Sequence, residues 1–433
     1  MYSHSVTLES EKCIGCTDCI KRCPTEAIRV RDSKAKIITE RCIDCGNCIA
    51  VCRNGAKRAV MDNFNMIYSY SYRVALPAPS FYAQFAKGES VEEILGSLYA
   101  IGFTDVFEVS EAAEYIAEYT NQYMKEVKVF PVISSACPVI VRLIQRRFPA
   151  LIDHILPIMS PMELAARYVK SAYMSHGIKQ EEVGVFFISP CPAKATDIHK
   201  PKGLEKSYVD GAFSMQEIYL KVIHEIKNHP HPIKRKPTPG GMSWATRNGG
   251  ISNIGIDNHI AVDGIERVID ILEKVEDGTL SKIHYIEALA CTGGCLGGAL
   301  TIENPFVSRH TLKKLIEHEE QEAKREQVTK ANHLLEALPY KYNVSIVPKP
   351  VFSLDEDIGT ALEMMEEIEQ LYSKLPQIDC GSCGAPTCRC FAEDVVKGHA
   401  HVEDCIFMLR KRIKELSEAM FELTQKILPT TKD

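Results

Sequence analysis

Residues 129–141 read V-F-P-V-I-S-S-A-C-P-V-I-V. A short apolar, β-branched run, the signature of a buried strand, is followed at once by Cys137. The neighbouring cysteines in sequence are Cys52 and Cys191. The pattern recurs twice. F-F-I-S-P-C-P-A-K carries Cys191 after the run 183–188, and E-A-L-A-C-T-G-G-C-L-G-G carries Cys291 and Cys295 after the run 284–290. In open α/β sheets ligands bind at the carboxyl ends of strands. Three strand ends that each carry a thiol therefore predict one crevice with four converging sulfurs. Any one of these residues alone reads as a buried small hydrophobe; their shared position argues for a metal centre. Glycines 293, 294, 297 and 298 predict close approach of the backbone to something bulky.

Around these signatures, short apolar runs (73–77, 127–133, 183–188, 284–290) alternate with helix-like segments (91–101, 111–123, 161–175, 215–228, 264–275). This is the pattern of an α/β domain with parallel or mixed sheets and flanking helices. A charged helix is predicted over 309–337, its charges a solvated face. The division expected is 1–66, a small α+β module; 67–350, the α/β domain; and 351–433, a small, mainly α module with a helical tail.

The chain has 433 residues, 45% hydrophobic and 25% charged, with a net charge of −6. That balance is globular, and the absence of a basic block excludes nucleic acid as the expected partner. No run is long enough to span a bilayer and the first residues have no apolar signal core, so a cytoplasmic protein is expected. Seventeen cysteines in such a chain read as metal ligands before disulfides.

C-I-G-C-T-D-C-I-K-R-C-P and C-I-D-C-G-N-C-I-A-V-C-R both follow C-x2-C-x2-C-x3-C. This is the bacterial ferredoxin spacing, in which the fourth cysteine of each run ligates the other cluster. The expected [4Fe–4S] sets are Cys13, Cys16, Cys19, Cys52 and Cys42, Cys45, Cys48, Cys23. Zinc is the alternative, though it favours separated ligand pairs. Arg53 stands where a proline usually follows the second run.

The signatures S-A-C-P, P-C-P-A-K and C-T-G-G-C-L-G-G resemble those of the [FeFe]-hydrogenases. A-P-S (78–80), G-F-T-D-V-F-E (102–108), the stretch 148–162 ending I-M-S-P-M, and G-G-M-S-W at 240–244 are similar too. With the ferredoxin module the resemblance covers about residues 10–305. It implies an H-cluster: a [4Fe–4S] cubane on Cys137, Cys191, Cys291 and Cys295, with Cys295 bridging to a diiron subsite carrying CO, cyanide and azadithiolate. Lys194 matches the lysine that bonds a cyanide, a strong charge-assisted contact. The implied reaction is heterolytic cleavage of H2 to two protons and two electrons, the electrons leaving through the accessory clusters to a redox partner protein.

Three positions depart from the resemblance. Ala136 stands where the catalytic members carry the cysteine that starts the proton exit, and S-F-Y-A-Q-F-A-K (80–87) lacks the acids that continue it. Ser189 precedes Pro190-Cys191, and Leu289 replaces a methionine, so a more polar pocket is expected. A missing relay suggests slow turnover and an H2 or redox sensor. The alternative is a non-hydrogenase iron–sulfur electron-transfer or assembly protein, against which the lysine of P-C-P-A-K argues.

D-C-G-S-C-G-A-P-T-C-R-C…D-C (379–405) is similar to the iron–sulfur module of corrinoid iron–sulfur proteins. It implies a third accessory [4Fe–4S] cluster on Cys380, Cys383, Cys388 and Cys405, with zinc as the alternative, and leaves Cys390 structural. Beyond it, Ile406, Leu409, Ile413, Leu416, Met420, Leu423 and Ile427 form a heptad seam. The seam reads either as a homodimer contact through 406–427 or as a helix lying on its own protein.

Overall fold

The computed structural model describes residues 4–85, 89–228, 233, 237–326, 333–355 and 357–426. They fall into two compact units. The first comprises residues 1–7, 43–46 and 58–350; the second comprises 8–42, 47–57 and 351–433. The N-terminal and C-terminal cysteine segments, read as separate modules in the sequence, thus share one unit. The loop 43–46 belongs to the other because Asp44 is buried there. Its carboxylate accepts from Arg142 Nη1 at 2.6 Å, Thr196 Oγ1 at 2.9 Å and the Ser5 backbone N–H at 2.9 Å.

Strand β1 (Val6–Leu8) is followed by the antiparallel pair β2 (Ile28–Arg31) and β3 (Lys34–Ile37), and then β4 (Lys57–Ala59), which pairs with β1. The second unit, which holds β2 and β3, also holds helices Ile358–Lys374, Cys388–Val396 and Ile406–Lys426. Within it, Val30 N–H donates to the Gly384 carbonyl at 2.8 Å. A Cβ on Gly384 would lie 1.8 Å from the Val30 oxygen. Only glycine admits that approach, and its φ of +78° is also one that glycine favours.

The first unit holds two parallel sheets. One runs β6 (Asp105–Val106), β5 (Tyr72–Pro77), β8 (Val183–Ser189), β9 (Gly211–Ser214). The other runs β10 (His259–Asp263), β11 (Tyr285–Leu289), β7 (Val132–Ile133). Every pairing in both is parallel. All seven residues of β8 are buried, as expected of a central parallel strand covered on both faces. Each sheet has its own core, Phe186, Phe213 and Ile94 in one and Ile286, Leu143 and Val268 in the other.

Local signals explain the helices. Ser90 and Glu93 form a capping box at the start of Val91–Ala100. Prolines open Pro138–Arg147, Pro161–Ser175 and Pro192–His199, where a missing N–H costs nothing. The run 127–133 yields only the two-residue β7: residues 128–130 are exposed, Val127 is only partly buried, and Pro131 has no N–H for a ladder. The helix Pro138–Arg147 has no counterpart in the sequence reading because P-V-I-V carries strand-like residues. The helix expected over 309–337 appears as Pro305–Glu326 and His333–Ala337; residues 327–332 lie outside the described residues.

Candidate metal centres

The carboxyl ends of the two sheets open into one cavity of about 100 Å³. Its lining includes Cys137 beyond β7, Cys191 beyond β8, and Cys291 and Cys295 beyond β11, together with Lys194 and Ala136. The four strand-end thiols therefore do meet. Cys137 is the N-cap of Pro138–Arg147 and Cys191 that of Pro192–His199. Each cysteine thus opens a helix, and the backbone N–H groups of Lys194 and Ala193 at the start of the second favour the Cys191 thiolate.

Without a counter-charge Cys191, Cys291 and Cys295 are held protonated. Burial first, then Cys137 and Lys194's opposing pull, leave Cys191 at about 11. Burial, Cys137 and Cys191 push Cys295 to about 12, and Cys291 rises well above the ordinary thiol value for the same reasons. Such a set suits a cationic metal core, which supplies the charge the thiolates need and releases their protons on binding. Ser80 Oγ also fits a resident group: it is buried in this wall with no hydrogen-bond partner. The A-P-S match pointed at this segment, but the sequence reading gave Ser80 no role.

Two expectations are corrected here. The cavity is not more polar: Ala78, Pro79, Val109, Ala113, Met162, Phe187, Trp244 and Leu289 make up much of its wall. Ser189 is not part of it, because its hydroxyl is turned into its own loop, donating to the Cys191 carbonyl at 2.8 Å and accepting from the Cys191 N–H at 3.2 Å. Gly294 and Gly298 line the cavity, and the glycines also allow close packing of the chain. A Cβ on Gly294, Gly297 or Gly298 would strike the carbonyl oxygens of Ala245, Thr292 and Pro190 at 2.5, 2.0 and 2.3 Å. They permit chain-to-chain packing that folds the cysteine loop.

In the second unit, Cys13, Cys16, Cys19 and Cys52 line one cavity, the set expected from the ferredoxin spacing. Backbone N–H groups of Ala35 and Ala56 donate to the sulfurs of Cys13 and Cys52 at 3.4 and 3.2 Å. Burial pushes Cys19 to about 11 against the pull of Lys57. Of the other set, Cys23, Cys42 and Cys48 lie in this unit and Cys45 in the first. Burial takes Cys48 to about 12, opposed by Lys57 and reinforced by Cys23.

At the C-terminus, burial raises Cys383, with Cys405 and Cys380 adding to it. Asp379 accepts from the Cys388 N–H at 2.6 Å and fixes the helix that begins at the third ligand. Cys390 points away: Arg29 Nη2 donates to its sulfur at 2.6 Å.

The tail helix Ile406–Lys426 keeps its seam uncovered, with Ile413, Leu416, Met420 and Leu423 at 54, 50, 67 and 58% exposure; Ile427 lies outside the described residues. Among the described residues no helix is long and apolar enough to cross a membrane.

Residues 71–253 and 249–299 match the iron only hydrogenase large subunit, C-terminal domain; 5–53 match a 4Fe-4S dicluster domain and 375–407 a putative Fe-S cluster domain. Iron hydrogenase 1 of Clostridium pasteurianum is 23% identical over 72% of this chain and 67% of its own length. The periplasmic [Fe] hydrogenase large subunit of Nitratidesulfovibrio vulgaris is 24% identical over 68% of this chain and 86% of its own. The NADP-reducing hydrogenase subunit HndD of Solidesulfovibrio fructosivorans is 25% identical over 68% and 56%. A solved structure of [FeFe]-hydrogenase HydA1 from Chlamydomonas reinhardtii aligns with a TM-score of 0.47 at 14% identity, covering 64% of this chain and 94% of that one. The hydrogenase domain model spans residues 71–299 of 433, more than half of the sequence, and the chain belongs to the iron-only hydrogenase family.

Proposed function

We propose that the protein is an [FeFe]-hydrogenase that activates H2 slowly and reports hydrogen or redox state. One observation carries this reading: four cysteines from three strand ends and Lys194 line a single apolar cavity whose wall at the relay position is the methyl group of Ala136.

Cys137, Cys191, Cys291 and Cys295 would hold the cubane, with Cys295 shared with a diiron subsite. When bound, that group supplies the Lewis acid and the amine that split H2. The Lys194 ammonium and the Ser80 hydroxyl would hold its anionic ligands in place. The apolar wall excludes water, which strengthens those bonds. A methyl group at 136 takes no proton, so the chain keeps the means to bind the group while lacking the usual first carrier. The two ferredoxin-type sets and the set Cys380, Cys383, Cys388, Cys405 would hold three accessory [4Fe–4S] clusters that pass electrons to a redox partner. The uncovered seam on Ile406–Lys426 would pair two copies of the chain.

Isotope exchange between H2 and D2O, followed by gas mass spectrometry on anaerobically matured protein, tests the reading. Slow, measurable exchange is expected. Complete absence in protein carrying its full iron content contradicts it and favours an electron-transfer role.

A further inference from the structure

Among the described residues, cysteines and Lys194 are the titratable side chains in the wall of the cluster cavity and no carboxylate lines it. A second, smaller cavity lies behind that wall. It is lined by Ser135, Ser160, Glu163, Asp197, Lys202 and Tyr342, among others, and shares Pro138 with the first. Two short segments form the partition. Ala136, Cys137, Pro161 and Met162 face the cluster side, while Ser135, Ser160 and Glu163 face the other.

We propose that this rear chamber is the proton relay of the site, with Glu163 as its carrier and Asp197 and Lys202 as its connection to solvent. The inference rests on the hydrogenase reading above.

Glu163 is buried on the helix Pro161–Ser175. Its carboxylate accepts from Ser207 Oγ at 2.6 Å and from the Tyr208 N–H at 2.9 Å. Burial pushes it up to about 7 and Asp197 adds to that, while Ser207, Tyr208 and the Lys194 ammonium oppose. A carboxyl group there both takes and releases a proton near neutrality. Lys194 lines the cluster cavity, and its charge is also felt at Glu163.

Asp197 Oδ1 and Ser160 Oγ are buried without a hydrogen-bond partner. The chamber they face has room for about one water, which would bridge them. Lys202 is half-buried. Burial lowers it to about 8, helped by Arg142, Lys349 and Arg146 and opposed by Asp197. Tyr342, partly buried and bonded to Ser135, is raised by desolvation and acts as a fixed dipole.

The step is proton transfer alone. The proton from H2 cleavage forms an O–H bond on the Glu163 carboxylate. It is then passed through water to the Asp197 carboxylate, on to the Lys202 amine, and out. Electrons leave separately through the clusters.

Infrared difference spectra of the matured protein across pH 5–9, in H2O and D2O, test this beside H2/D2O exchange. A carboxylic C=O band that titrates near pH 7, shifts in D2O and is absent from Glu163→Gln is expected, with exchange falling about tenfold or more in that variant. Asp197→Asn should lower exchange while keeping the Glu163 band, and it carries the test if Glu163→Gln does not fold. No titrating band, or unchanged exchange in both variants, overturns the relay and leaves Glu163 as an anchor for the loop at Ser207 and Tyr208. CO and cyanide bands in the same spectra separate the two claims. If they are present, a failure belongs to the relay; if they are absent, the hydrogenase reading falls and the relay with it.

Discussion

The guanidinium of Arg29 donates to both carboxylate oxygens of Asp394, from Nε to Oδ2 at 2.6 Å and from Nη2 to Oδ1 at 3.0 Å. Both side chains are buried, at 8% exposure each, and Arg31 adds a third bond to the same carboxylate at 2.9 Å. Beside it Arg41 pairs with Glu393 at 2.5 Å. These contacts join the β2–β3 segment to the helix Cys388–Val396 inside one compact unit.

Breaking a buried pair from one side leaves uncompensated charge, which costs about 3–5 kcal/mol. Asp394→Ala should therefore lower the stability of this unit by roughly 3 kcal/mol. Denaturant titration followed by visible iron–sulfur absorbance should show the C-terminal cluster lost first. An unchanged midpoint would mean that the Val30–Gly384 main-chain bond and the helix packing suffice.

Cys390 is held by Arg29 and not by the ligand loop. Cys390→Ala should leave iron content unchanged, whereas Cys383→Ala should remove about four irons per chain. Iron analysis beside protein quantitation separates the two. A loss of iron in the Cys390 variant would reassign the ligands.

Glu163 gives a pH signature to folding. Its folded pKa, about 7, lies above the ordinary value of 4.5. The folded state thus binds the proton more tightly than the unfolded chain. This contribution is complete below pH 4.5 and is lost as pH rises through about 7. The full swing is roughly 3 kcal/mol. Glu163→Gln mimics the protonated form, so it should flatten the stability-against-pH curve across that window. An identical slope in variant and parent would show that Glu163 ionises freely.

Ala136→Cys restores a thiol to the cavity wall. Hydrogen turnover of the fully matured variant should rise about tenfold or more. No gain at full maturation would mean that proton transfer through position 136 does not limit the rate.

The strand-end cysteines and the ferredoxin spacing were legible in the sequence because ligand chemistry fixes residue type and interval together. That Cys137, Cys191, Cys291 and Cys295 share one cavity followed from placing each after a strand. The division into two sheets did not follow, since β6, β9 and β10 are short and their pairing depends on contacts distant in sequence. Ser189 misled for a local reason: a serine two residues before a cysteine can satisfy itself on the backbone, and here it does. Glu163 and Asp197 had no visible signal, because P-M-E-L and K-A-T-D look like ordinary helix starts until burial brings the two carboxylates to one chamber. The seam at 406–427 showed its period but not its partner. Light scattering on a chain ending at Cys405 should give half the mass of the full chain, and an unchanged mass would sink the pairing.

The most direct test is an infrared spectrum of protein produced anaerobically with the hydrogenase maturation machinery. CO and cyanide stretching bands should appear, and in Lys194→Ala they should weaken or vanish, since the ammonium that holds an anionic ligand is gone. A protein with its full complement of [4Fe–4S] clusters and no CO or cyanide bands would contradict the account and leave the strand-end cysteines holding a cubane alone.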